Sequence, residues 1–440
     1  MKKIFFIILL VFFAGTFTAC GNEKSQTTGI KDNTSEKETE ENNVKKEMQE
    51  GTSSKEVVQL PQILSLKQKY STRYEWQDAV WMMYSEYNNI AIGEDADQYP
   101  EMDNTLSEIK EMQTRTMEDE ADNILSFAKE KLEENAKKFE TQVSTVDVQV
   151  RRADDVVISY LTDSYADYGF IEDFRGMWGS NYDVQTGKEL LISDVVLDME
   201  KIPGIVLKEL NNHIWAGEPY SKKVVKDYFK NTAMDSISWT LDYNGVTFYF
   251  ADGDLAEKGN GCLSATVSFT EYPKLFDEKY VNVPEAYMVR LPLDHSYFTD
   301  LDGDGTLEEL NCAGVYNKKD RFYTKFGMYT DFDGHYHYEE LFAYDFQPYY
   351  VKTKDGNHYI YLFCEESEDG NRQMMLVVYN ITGGFYTRVG DRNIAPAYLP
   401  SDTFVLPLDP NNLLLDNYDS TAQDAEFYKV GKDGMPVKKN

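Results

Sequence analysis

The run Asp300-Leu301-Asp302-Gly303-Asp304-Gly305-Thr306-Leu307-Glu308 sets carboxylates at loop positions 1, 3, 5 and 9, with glycine at position 6. Alternate side chains of a tight loop converge on one point, and the glycine permits the sharp turn that convergence needs. Oxygen-only ligands in this order suit a hard cation, so calcium is expected at Asp300, Asp302, Asp304 and Glu308, with the carbonyl of Thr306 at position 7. Position 12 is Asn311 rather than a bidentate Glu, and the flanks read as strand rather than helix. The competing reading is a turn whose aspartates only cap backbone amides. Four clustered carboxylates repel one another without a cation, which favours calcium, in the role of pinning a loop rather than catalysing.

Other constellations are weaker. His335 and His337 would share one face of a strand, but no third ligand stands at a metal-type spacing, so packed or solvated histidines are expected. Ser107 with Lys110 and Ser126 with Lys129 match Ser-x-x-Lys, yet both fall on a charged helical stretch without a Ser-Asp-Asn or Lys-Thr-Gly partner. The sequence holds no phosphate-binding glycine loop, nucleophile elbow or zinc-protease motif. Its 76 acidic residues leave a carboxylate pair for glycoside hydrolysis open, because candidates occur everywhere. Of the tryptophans, Trp76, Trp81, Trp215 and Trp239 are expected in the core. Trp178, in a Gly176–Gly179 loop, is the candidate for an exposed contact, grouped with Tyr168, Phe170 and Phe174.

These residues sit in a 440-residue chain of formal charge 44 − 76 = −32. Such a surface repels nucleic acid and anionic headgroups and attracts cations or basic proteins. Residues 1–20 read as a leader: Lys2 and Lys3, then an apolar run Ile4–Ala19 of 16 residues, short of the roughly 20 that span a bilayer. It closes on Phe17-Thr18-Ala19-Cys20-Gly21, which resembles a bacterial lipobox with Cys20 as the lipidated residue, so a lipid-anchored protein on the outer face of the cytoplasmic membrane is expected. Residues 21–58 lack aromatic side chains and form a polar tether that cannot offset the entropy of ordering. Cys262, Cys312 and Cys364 remain, enough for one bridge and a spare at most, with three small buried thiols the commoner outcome.

Elements that would position these groups follow in order. Tyr70–Trp76 and Ala79–Tyr87 read as paired strands. A capping box at Thr105–Glu108 would open an amphipathic helix, or two, carrying Leu106, Ile109, Met112, Ile124, Leu125, Ala128, Leu132 and Phe139. Val143–Val150 and Val156–Tyr165 form an antiparallel hairpin, and Gly176–Val184 another strand. Gln185–Lys188 turns through Gly187, and Glu189–Ile192 resumes extended structure. A second helix carries Pro203, Val206, Leu207, Leu210 and Ile214. Tyr243-Asn244-Gly245 marks a hairpin, Cys262–Phe269 is a strand, and Tyr272–Phe276 starts a short closing helix. Residues 296–440 read as a separate all-β unit with Asp-Gly turns and a faint repeat of about 31 residues, Asp300–Gly303 echoed at Asp331–Gly334. Its tail from Tyr418 is expected to fray.

The order Ile158-Ser159-Tyr160, then Asn181-Tyr182-Asp183, Thr186-Gly187-Lys188 and Ile192-Ser193-Asp194, then Gly245–Phe250 and Tyr272-Pro273-Lys274-Leu275, resembles the extracellular region shared by RsiV-type anti-sigma factors and PdaC-type peptidoglycan deacetylases. The resemblance covers about residues 70–290. In that family the loop before Asn181 is usually glycine-rich with a Gly-Ala-His run; here Tyr168–Gly176 lacks histidine. No sigma-binding segment is read before the leader and no deacetylase domain after the module. The expected fold is α+β: an antiparallel sheet covered by one long and one or two shorter helices (59–290), followed by a mostly-β domain with the calcium loop (296–440). The resemblance implies an envelope binding module without catalysis, recognising a cationic protein such as lysozyme or a cell-wall polymer. A wall hydrolase with an unrecognised carboxylate pair and a scaffold lipoprotein are the alternatives. The Calcium loop resembles those of integrin-type β repeats. Asp183, Lys188 and Asp194 are read as turn and cap residues rather than as chemistry.

Overall fold

The computed structural model describes residues 60–439, apart from 75–79, 169–173, 214–218, 256–260, 294, 318–321, 333, 367–373, 400–401 and 418–424. The chain divides into two units, Met1–Val57 and Val58–Asn440. The leader, Cys20 and the tether as far as residue 58 lie outside the described residues.

The first strands, β1 (Ile63–Tyr74) and β2 (Val80–Ile92), pair antiparallel as expected. The chain then makes a single uninterrupted helix, α1 (Pro100–Asn135), and returns as β3 (Gln142–Ala153). β2 and β3 are parallel, from Met83 opposite Gln142 to Tyr87 opposite Val146. A parallel neighbour needs a crossover long enough to bring the chain back to the same end, and α1 is that crossover. The expectation of a wholly antiparallel sheet is therefore corrected at this pair. α1 also starts earlier than the Thr105 box: Pro100 occupies the first turn, where its missing N–H is not needed. Thr105 instead directs its hydroxyl at the carbonyls of Glu101 (3.1 Å) and Gly187 (3.0 Å), anchoring the helix to the later turn. Met102, Leu106, Met117, Ala121, Ile124 and Ala128 are its buried face, whereas Met112, expected in that stripe, is 40 % exposed.

β4 (Val157–Asp167) and β5 (Phe174–Asp183) continue the sheet antiparallel. At the β5 turn, Asp183 accepts the amide of Thr186 at 2.9 Å, and Gly187 takes φ +64°. A Cβ there would stand 2.5 Å from the Glu101 carbonyl, so glycine is required by both conformation and closeness. Extended structure does not resume to Ile192 as expected. Glu189 makes one bridge to Tyr182, and the chain coils into α2 (Ile192–Val195), whose Asp194 carboxylate accepts the Leu191 amide at 2.8 Å.

α3 (Ile202–Asn212), with Pro203 in its first turn, and α4 (Lys222–Asn231), not foreseen from the sequence, bury Val206, Leu210 and Val225 against β6 (Trp239–Leu241), β7 (Gly245–Phe250) and β8 (Leu263–Ser268). The closing helix is not at Tyr272, which lies in a turn; α5 (Glu278–Val281) follows, with the Asp277 carboxylate accepting the Lys279 amide.

The remaining strands are β9 (Tyr287–Arg290), β10 (Ser296–Thr299), β11 (Glu308–Asn317), β12 (Phe322–Thr330), β13 (His337–Ala343), β14 (Asp345–Lys352), β15 (His358–Glu365), β16 (Met374–Asn380), β17 (Thr387–Arg392), β18 (Ile394–Pro396), β19 (Tyr398–Leu399), β20 (Thr403–Val405), β21 (Leu413–Asn417), β22 (Glu426–Val430) and β23 (Pro436–Lys438). β10 to β13 form a four-stranded meander, and a five-stranded sheet runs β17-β16-β15-β14-β9. The expected boundary near 290–296 is crossed twice. β9 pairs with β14, and β20 pairs with β1, so the main sheet runs β19-β20-β1-β2-β3-β4-β5. One hydrophobic cluster joins Ile63, Val148 and Ile158 to Tyr361, Leu376 and Leu413. The fold is thus mixed, sheet-rich toward the C-terminus, with one long helix. The tail is not frayed throughout: β22 and β23 are paired, and Tyr428 is buried.

Candidate functional site

The Asp-Gly loop connects β10 to β11. Leu301, 1 % exposed, anchors it, and Gly303 (φ +80°) and Gly305 (φ +90°) make the bends. Asp300 accepts the amides of Gly303 (2.7 Å) and Gly305 (3.0 Å), Asp302 that of Asp304 (3.0 Å), and Asp304 that of Thr306 (2.7 Å). The capping geometry is therefore present. It uses only part of each carboxylate's accepting capacity. Oxygens of Asp300, Asp302 and Asp304 also converge within 4.8 Å of one another, a donor set that fits a hard cation. Glu308 stands apart from that trio: its Oε2 accepts the Leu301 amide at 2.7 Å. Burial pushes its carboxyl up to about 7 against the lowering effect of that amide, and repulsion from Asp302, Asp300 and Asp304 adds to the rise. Thr306 enters through its amide.

A cavity of about 450 Å³ is a cleft whose walls come from both sides of the crossed boundary: Lys67, Glu86, Asp147, Arg290, Tyr344 and Phe404 are among its lining residues. Strand pairing decides who meets here. β1 and β2 bring Lys67 and Lys69 against Glu86 (Lys69 at 3.2 Å), and β9 brings Arg290 to Asp147 at 2.8 Å. Burial works against the Arg290 charge, but Asp147 outweighs it and holds the guanidinium more firmly protonated than usual. The Tyr84 hydroxyl, which donates to Glu86, is pushed up to about 12 by burial and then by Asp345 and Glu365. Tyr344 and Tyr316, 36 % and 47 % exposed, present ring area at the rim. Paired charges beside exposed rings can grip a polar chain that carries sugar-like faces. No motif or spacing along the chain marks this cleft. Its only local signal is tyrosine-rich strands, and their convergence depends on pairings between distant segments.

The proposed contact group is not assembled as one exposed loop. Tyr168 is half-buried and packs beside Met83, Ala121 and Ile124, which belong to β2 and α1. Burial pushes its hydroxyl up. Phe170 lies outside the described residues. Phe174 opens β5, and Trp178 is half-buried within β5 opposite Thr162, so Gly176–Gly179 is strand rather than loop. The glycine is needed there for close approach: a Cβ on Gly179 would lie 1.8 Å from the Trp239 carbonyl. Trp239 is core, as expected; Trp76, Trp215 and the side chain of Trp81 lie outside the described part. His335 precedes β13 while His337 begins it and lies against the Tyr386 ring, tilted, with centroids 5.0 Å apart, so the two do not share a strand face. None of Cys262, Cys312 and Cys364 is in a disulfide, and Cys312 and Cys364 are buried.

Among the described residues no helix is long and apolar enough to cross a membrane. No protein-family model matches the chain, and no curated protein matches it. Solved structures similar at low level include two DUF3298-family proteins. A DUF3298-family protein from Bacteroides fragilis is 11 % identical with a TM-score of 0.37, covering 50 % of this chain and 96 % of its own. A DUF3298-family protein from Pseudomonas aeruginosa is 14 % identical with a TM-score of 0.31, covering 51 % of this chain and 98 % of its own.

Proposed function

We propose that this chain is a binding module of the bacterial cell envelope, without catalysis of its own, anchored by lipid on Cys20 at the outer face of the cytoplasmic membrane. The resemblance to RsiV- and PdaC-type extracellular regions supports that placement. The observation that carries the reading is the 450 Å³ cleft, and its ligand is a segment of cell-wall polymer. Its carboxylates Glu86 and Asp147 are held by Lys67, Lys69 and Arg290, an arrangement suited to gripping a ligand rather than to moving protons. Exposed tyrosine rings at the rim would stack on sugar faces. Calcium in the Asp300–Glu308 loop has a structural role in this reading.

Titration of the full chain with purified soluble glycan strands tests it. Wild type should bind, and Tyr344→Ala, a change at an exposed ring, should weaken binding about tenfold, the effect of losing roughly one aromatic contact. Equal binding by the variant overturns the cleft assignment, and release of new reducing ends from the strands would favour the hydrolase alternative. The charge of −32 supports a second reading, capture of a cationic protein such as lysozyme. Retention of lysozyme at low salt that is unaffected by Tyr344→Ala would favour that one.

A further inference from the structure

His213 follows α3, Glu309 lies in β11 and Asp331 follows β12, three segments far apart in sequence. The fold draws one ligand atom from each to within 4.8 Å of the other two. His213 Nδ1 stands 3.5 Å from Asp331 Oδ2 and 3.7 Å from Glu309 Oε2. Both distances are too long for good hydrogen bonds, which place N and O about 2.7–3.2 Å apart. They are close to the separation of two ligands sharing an ion: donors each about 2.0–2.1 Å from a tetrahedral cation lie roughly 3.3 Å from one another.

The three groups are held where they are by other contacts. Glu309 is 2 % exposed; its Oε1 accepts from the Ser296 hydroxyl, and Oε2 is the atom turned to the imidazole. The Glu309 amide donates to Asp331 Oδ2 at 2.7 Å, and Tyr329 donates to Asp331 Oδ1 at 3.3 Å. The His213 ring rests against Phe298, with centroids 4.7 Å apart. Successive strand residues face opposite ways, so Glu308 turns into the Asp-Gly loop while its neighbour Glu309 turns to His213. Two carboxylates, one of them buried, converge on one ring nitrogen and call for a positive charge at their centre. His213 and Asp331 also line a cavity of about 270 Å³. At roughly 30 Å³ per water, that leaves room to complete a coordination sphere with solvent.

We propose that His213, Glu309 and Asp331 form a second divalent-cation site, chemically distinct from the oxygen-only loop. A nitrogen ligand with two carboxylates suits a borderline cation of the zinc class rather than calcium or magnesium, and three protein ligands, two of them lining a cavity, leave a position open to water. The inference does not depend on the proposed envelope role.

The test is calorimetric titration of the chelator-stripped full chain with zinc alone, repeated in millimolar calcium. The wild type should take up one zinc that calcium does not displace. His213→Gln should lose it by roughly 100-fold or more in affinity, Asp331→Asn should weaken it in the same direction, and the His335→Gln/His337→Gln double variant should bind as wild type. Since Glu309 is buried and its removal risks the fold, the solvent-reachable His213 and Asp331 carry the test, with the metal-free melting temperature confirming that each variant is folded. Wild-type affinity in folded His213→Gln overturns the site. So does absence of zinc uptake by the wild type, or loss of uptake only in the His335/His337 variant.

Discussion

Glu308 shows how one residue's charge state reports on its neighbours. Its carboxyl sits behind three aspartates, and burial with their repulsion raises it to about 7 in the folded chain, against about 4.3 for an unperturbed Glu. Between those values the folded chain binds more protons than the unfolded one, so this residue makes stability fall as pH rises from about 4.5 to about 7 and level off above. A calcium ion in the loop would compensate the charged form. In chelator, the melting temperature of wild type should therefore drop across that window more than that of Glu308→Gln. Added calcium should raise the wild-type value at pH 7.5, and identical melting with calcium and with chelator would remove the cation from the loop. The Asp-Gly loop was legible in the sequence because its carboxylates are near neighbours, whose geometry one turn dictates. Glu308, expected beside the aspartates at loop position 9, turns to the Leu301 amide instead, a choice that depends on how β11 packs and that no spacing expresses.

At the scale of elements, the end of β3 locks the N-terminal layers together. Two consecutive arginines, at the irregularity where the β3–β4 register shifts, are both buried. Arg151 meets Asp242 at 3.1 Å, with the Thr240 and Thr247 hydroxyls each donating to that carboxylate at 2.8 Å, which ties β3 to β6 and β7. Arg152 meets Asp154 at 2.6 Å and donates to the Tyr280 carbonyl at 2.7 Å, which ties the β3–β4 hairpin to α5. Removing one partner of a buried pair strands the other's charge. Arg151→Met should thus destabilise by about 3–5 kcal/mol, and Arg151→Met with Asp242→Leu should recover much of the loss. Denaturant unfolding of the two variants checks this; equal loss in both would mean that packing, rather than charge, dominates. The β3–β4 hairpin was readable from alternation, because period-two burial is a local pattern. The start of α1 was misread, because the Thr105 hydroxyl that could cap a helix is engaged with Gly187 across the fold.

At the scale of the molecule, the C-terminal segments complete the N-terminal sheet. β20 covers the edge of β1, with the Lys67 amide donating to Asp402 and the Leu406 amide to Ile63, both at 2.9 Å. Without β20 that edge presents unpaired backbone groups beside an apolar face, a template for aggregation. A chain ending at residue 295 would also lose the Tyr361, Leu376 and Leu413 side of the shared cluster. Residues 58–295 expressed alone should therefore aggregate, while 58–439 stays monodisperse in gel filtration. A soluble, cooperatively melting 58–295 would show that the N-terminal part folds without the later strands.

The features that residue spacing settles are short-range. Alternating residues specify the β3–β4 hairpin, Gly187 specifies a positive-φ turn, and carboxylates spaced by two specify a loop with converging oxygens. Each depends on backbone geometry over a few residues, which composition and spacing express directly. The tertiary structure alone decided that β2 and β3 run parallel, that β20 joins β1, and that Lys67, Asp147 and Arg290 border one cleft. It also decided that His213 meets Glu309 and Asp331. Those outcomes depend on which distant surfaces bury one another, and that choice is made by the sum of many weak contacts rather than by any spacing along the chain.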